Sequence, residues 1–184
     1  MKKKYNILVA TATLAAVSTT LMSSCKEKKD SDEIVVEKIV EKPQNDATGM
    51  PSKTDEGNVQ WVNNAQYKYV LQRNVDTELP EVVNNGETYK DNSVTLTVNR
   101  SDGTVFYTNT FAKSSFTGLL SNDMKAHGVL LSIAYDHCDA DNMYFVASIG
   151  SPDETNEDFT LIQLILNRMG TTSVATYKPD DMPE

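Results

Sequence analysis

The densest group of chemistry-bearing side chains is Asp136-His137-Cys138-Asp139-Ala140-Asp141-Asn142, where three carboxylates, an imidazole and a thiol fall within seven residues. Such a set offers oxygen ligands to a hard divalent cation, or nitrogen and sulfur ligands to zinc. Asp136, His137, Asp139 and Asp141 are therefore the weak metal or ligand candidates. Spacing counts against both metals. A calcium loop counted from Asp139 needs glycine in sixth place and a bidentate glutamate in twelfth, and those places hold Tyr144 and Gly150. A zinc site wants further His or Cys nearby, and the chain has only 2 of each. The simpler reading is a hairpin turn whose Asp and Asn side chains bond their own backbone. No metal and no cofactor is expected.

Nucleophilic chemistry fares no better. His137 and Cys138 are neighbours in sequence, and adjacent side chains on a strand or turn point apart, so a base for the thiol must come from elsewhere. There is no Gly-x-Ser-x-Gly elbow, no Gly-x-Gly-x-x-Gly fingerprint and no phosphate-binding loop. No catalytic residue is assigned, and an enzyme is not expected. The alternative is a metal-dependent or thiol-based envelope hydrolase using the Asp136–Asn142 loop. A second acidic run, Asp153-Glu154 with Glu157-Asp158, reads as a solvated loop at a sheet end. Trp61, Tyr67, Tyr69, Tyr107, Tyr135, Tyr144 and Tyr177 would suit a glycan or peptide surface, but at strand spacing they serve more often as core or cross-strand pairs.

The elements that would position these residues are mostly strands. Ser93–Asn99 alternates cleanly, with Val94, Leu96 and Val98 on one face and Thr95 and Thr97 on the other. Asp102-Gly103 separates it from the β-rich run Val105–Phe111, a strong hairpin signal. Further strands are predicted at Tyr67–Arg73, Val129–Tyr135, Met143–Ile149, Phe159–Leu166 and Ser173–Tyr177. One helix is predicted across Lys113–Ala126, capped by Ser114 or Ser115 and stopped by Gly128. The fold class expected is mainly β: one antiparallel meander of about seven strands, either a sandwich or an open barrel, with one short α-helix.

The first 56 residues read differently. Met1-Lys2-Lys3-Lys4 is followed by 16 uncharged residues, Ile7 to Met22, and then by Leu21-Met22-Ser23-Ser24-Cys25. A basic start, an apolar run too short for a membrane span, then small residues and a cysteine look like a bacterial lipoprotein signal. The resemblance implies lipidation of Cys25 and removal of residues 1–24. Residues 25–56 then form a flexible acidic tether, since 26–56 lack any aromatic residue and hold 6 Lys against 9 Asp plus Glu. Residues 57–184 make the β-rich domain. The expected place is the cell envelope, anchored by lipid in the outer membrane. Ser31-Asp32-Glu33 faintly resembles an acidic surface-export signal, so the periplasmic and outer faces both stay open. With Cys25 lipidated, Cys138 is the one thiol left and no intrachain disulfide is possible.

The formal charge is −9 over 184 residues. Because Lys2, Lys3 and Lys4 leave with the signal, the acidity belongs mainly to residues 57–184. A nucleic-acid partner is excluded, because that role needs a basic footprint. The expected function is a non-catalytic binding or interaction module, held to the membrane by its lipid, with a glycan, peptide or envelope protein as partner.

Tyr67–Arg73, Asp91-Asn92, Arg100-Ser101-Asp102-Gly103 with Val105-Phe106, Thr110-Phe111-Ala112-Lys113-Ser114-Ser115-Phe116, Phe145-Val146-Ala147-Ser148 and Ser151-Pro152 occur in a familiar order. Taken with the lipobox, the chain resembles an uncharacterised lipoprotein family of anaerobic gut bacteria, a domain of unknown function. The resemblance covers the folded domain and implies compartment and extent; it carries no activity and no site residue. Cys138 departs from it, standing in a turn where such proteins carry polar residues.

Overall fold

The computed structural model describes residues 46–153 and 155–179. The expected lipobox with Cys25 and most of the expected tether lie outside them. Ten strands and a few short helical turns make up the described chain. All the strand pairs are antiparallel, and only an isolated bridge from Thr48 to Tyr89 is parallel.

The first sheet holds β1 (Lys53–Trp61), β2 (Ala65–Val75), β5 (Asn92–Arg100) and β6 (Val105–Ala112), in the order β1-β2-β5-β6. Between β2 and β5 lies a small hairpin of β3 (Val82–Asn84) and β4 (Glu87–Tyr89). The second sheet is a plain meander of β7 (Val129–Cys138), β8 (Asn142–Gly150), β9 (Phe159–Asn167) and β10 (Thr172–Thr176). Their inner faces share one core. Leu71, Val94, Leu96, Val98 and Phe111 come from the first sheet, and Ile133, Phe145, Ile149, Leu164 and Leu166 from the second. Tyr69 stacks on Tyr135 across the interface, with centroids 4.9 Å apart and planes 14° from parallel. β7 runs diagonally over the first sheet: Leu130 meets Asn92 of β5, Tyr135 meets Tyr69 of β2, and the Cys138 thiol donates to the Gln60 carbonyl of β1. The result is two packed sheets; among the described residues no closed barrel forms.

All seven expected strands are present, and three more join them. β1 extends the domain back into the expected tether, four residues ahead of the boundary at 57, and pairs with β2 from Lys53↔Arg73 to Trp61↔Ala65. Its composition hid it. Only Val59 and Trp61 bring apolar side chains to the inner face. Gly57 is there because the Tyr69 ring lies over it: a Cβ would sit 2.5 Å from the Tyr69 hydroxyl oxygen. β3 and β4 turn at Asn85 (φ 50°) and Gly86 (φ 82°), the left-handed pair that a tight two-residue hairpin requires.

The single helix expected over Lys113–Ala126 is instead a 3-10 stretch, Lys113–Leu119, then an extended Leu120, then α1 (Asn122–His127). Side-chain competition with the backbone accounts for the break. Ser115 Oγ accepts from the Ala112 N–H at 3.3 Å, and the Thr117 hydroxyl donates to the Ser114 carbonyl at 3.2 Å. Leu120 is held in the core, and Ser121 opens a new helix by accepting from the Met124 N–H. Gly128 ends it as expected, its N–H donating to the Met124 carbonyl at 3.1 Å. Among the described residues no helix is long and apolar enough to cross a membrane.

Candidate functional site

The Asp136–Asn142 cluster sits where β7 turns into β8. The Asp139 N–H donates to the Asn142 carbonyl at 2.9 Å and closes the turn. The Asp139 carboxylate in turn accepts from the Asp141 N–H (2.8 Å), the Asn142 N–H (2.7 Å) and the Tyr144 hydroxyl (2.8 Å). Partial desolvation pushes this carboxyl up, yet those three donors prevail and hold it below the ordinary carboxylate range. The same bond raises the Tyr144 hydroxyl.

The other candidates look elsewhere. Asp141 pairs with Arg168 at 3.3 Å on the exposed surface. Asp136 bonds the His137 ring at 3.1 Å, and that ring stacks on Tyr144 at 4.3 Å between centroids. Cys138 faces Gln60 of the first sheet. So the structure brings Asp136 to His137 and Asp139 to Tyr144, and it does not gather Asp136, His137, Asp139 and Asp141 around one point. Among the described residues no group of three or more His, Cys, Asp or Glu side chains is placed to hold a metal ion.

The second acidic loop follows the same logic. Asp153 accepts from the Thr155 N–H and hydroxyl, and Asn156 accepts from the Asp158 N–H. These bonds hold the Asp153 carboxyl below its usual range, the Thr155 N–H contributing most. Trp61 and Tyr67 are buried and meet Phe106 edge-to-face, as core aromatics rather than a binding platform.

Sequence reasoning missed a buried polar clamp. Asp91, 3 % exposed, accepts from the Asn92 N–H at 2.8 Å and the Leu130 N–H at 2.9 Å. Its other oxygen lies 3.5 Å from the Lys113 ammonium, which also donates to the Gly128 carbonyl at 2.5 Å. Asn92 adds a bond from its amide to the Leu130 carbonyl at 2.9 Å. The clamp ties the start of β5 to the start of β7, to the 3-10 stretch and to the end of α1. It borders a cleft of about 280 Å³ closed on its other side by Leu79, Pro80 and Val82. The signal was present in Asp91-Asn92 and in Thr110–Phe116, separate stretches that meet here. Phe111 and Phe116 of the second stretch pack together in the core, 6.3 Å apart.

A two-sheet β domain with a buried ion pair and self-satisfied acidic turns is what this chain presents. It belongs to a family known as a domain of unknown function (DUF4738), whose model matches residues 36–174. No curated protein matches the chain.

Proposed function

We propose that the protein is a lipid-anchored envelope protein whose β domain is a non-catalytic binding module. The anchor rests on Lys2-Lys3-Lys4, the uncharged run Ile7–Met22 and Ser23-Ser24-Cys25. Several acyl chains on Cys25 would hold the mature chain stably at the outer membrane, where one chain alone is marginal. The observation that carries the non-catalytic reading is the Asp139 carboxylate, whose bonding capacity goes to its own turn and to Tyr144. Asp139 is thereby committed to holding a hairpin, while Asp136, Cys138 and Asp141 serve other partners. The domain's acidity opposes anionic headgroups and nucleic acid, which leaves a polysaccharide, peptide or envelope protein as partner.

The test is Cys25→Ala in the native envelope, with fatty-acid labelling and membrane fractionation. The wild-type chain is expected to take up label and to stay with the membrane after a salt wash. Cys25→Ala is expected to lose the label and to keep an unprocessed signal. Unchanged labelling and processing would refute the anchor.

A further inference from the structure

The outward face of the first sheet is open and almost free of charge. On it the residues of β1, β2, β5 and β6 are Thr, Ser, Asn and Gln apart from Val70, Val105, Ala112, Lys68 and Glu56, and the last two pair at 2.9 Å. That is unusual on a chain of formal charge −9. Thr95 and Thr110 bond through their hydroxyls at 2.8 Å, and Thr97 and Thr108 do so at 3.1 Å. These pairs fix side chains that would otherwise lose rotamer freedom on binding. At the end beside the β5–β6 turn the face dips into a depression of about 380 Å³, a size within the range of ligand sites. Its lining carries three side-chain amides, Asn58, Gln66 and Asn99, together with Ser101 and two cations: Lys68, paired with Glu56, and Arg100, which donates to the Val105 carbonyl at 3.0 Å and lies over the Phe106 ring. The β5–β6 register slips after Val98, beside the depression.

We propose that this face binds an uncharged polysaccharide, an inference that rests on the binding-module reading above. Each amide supplies a donor and an acceptor, as a sugar hydroxyl does, and the two cations at the depression already hold partners, Lys68 on Glu56 and Arg100 on the Val105 carbonyl and the Phe106 ring. Arg100 apart, the face carries no exposed arginine and no exposed aromatic ring of the kind that anchors protein–protein contacts. Anionic polymers are repelled by the domain's net charge. Four strands spaced about 4.8 Å apart make a strip that suits an extended chain rather than a single sugar.

The test uses the full chain in detergent, run by native affinity electrophoresis through gels holding a β-glucan, a xylan, a galactomannan, a dextran or polygalacturonate. Retardation by at least one neutral polymer is expected, and none by polygalacturonate. Asn58→Ala with Gln66→Ala should weaken retardation about tenfold or more, at two lost hydrogen bonds. The shape-conserving Gln66→Glu should weaken it too, while Gln163→Ala on the second sheet should not. Melting curves establish that each variant folds. Retardation that ignores the Asn58 and Gln66 changes, or that occurs only with polygalacturonate, overturns this assignment while leaving a binding module. If no polymer retards the protein, the polysaccharide is refuted and the anchor reading, tested by Cys25→Ala, is untouched.

Discussion

The clamp at Asp91 gives the most exacting test of how the two sheets are joined. Lys113→Met keeps the length of the aliphatic stem and removes the ammonium. Asp91 then retains the Asn92 and Leu130 N–H donors but loses its cation, and the Gly128 carbonyl loses a donor. The Asp91 side chain is 5 % exposed and reaches water only through the bordering cleft, so the lost partner is poorly replaced. Stranding one member of a buried pair costs about 3–5 kcal/mol. Asp91→Ala should cost a similar amount, because it strands two backbone N–H groups and the lysine. In Asp91→Asn the side-chain oxygen still serves both N–H groups and no charge is left alone when Lys113→Met is added. The double variant Asp91→Asn/Lys113→Met should therefore recover about 1–3 kcal/mol relative to the sum of its single changes. At roughly 3 °C per kcal/mol for a chain of this size, Lys113→Met lowers Tm by about 10 °C. Urea unfolding of the four proteins with a common m-value measures the cycle. Singles that cost under about 1 kcal/mol, or a double variant additive to within about 0.5 kcal/mol, would refute the claim that a desolvated ion pair joins these elements.

Two further outcomes follow from the packing and the turns. Gly57→Ala should destabilise the domain by about 1–3 kcal/mol, since its Cβ would meet the Tyr69 ring, which the Tyr135 stack keeps from swinging away; Tyr69→Leu in the same chain should restore part of the loss in a thermal melt. Asp102, Asp139 and Asp153 all titrate below the usual carboxylate range in the fold, Asp102 chiefly through the Thr104 hydroxyl; a depressed folded value means the stabilisation is complete above the unfolded pKa of about 3.9 and fades as pH falls through the lower folded values, so Tm should hold from neutrality to about pH 5 and drop below about pH 4, with a shallower drop in Asp139→Asn.

The local alternation of Ser93–Asn99, the Asp102-Gly103 turn and the apolar run Phe159–Leu166 made most of the second sheet and the β5–β6 hairpin legible, because a half-buried strand must repeat every two residues. The Asp139 turn was legible for the same kind of reason: Asx bonding needs only neighbours. Asn85-Gly86 is equally local, an Asn-Gly pair that carries a strong short hairpin signal. β1 was not legible. Its place is set by Tyr69 over Gly57 and by pairing to β2, and neither leaves a pattern in Lys53–Trp61.

The sequence by itself determined the strand-rich class and the turns, both of which depend on neighbours a few residues apart. Only the tertiary structure decided that the carboxylates of Asp136, Asp139 and Asp141 serve separate partners, and that Asp91 meets Lys113. It also decided that the hydroxyls and amides of four strands share one polar face. Those facts depend on which distant segments are brought together, and side-chain chemistry in space follows the pairing of strands, which residue order encodes only through the packing of the whole core.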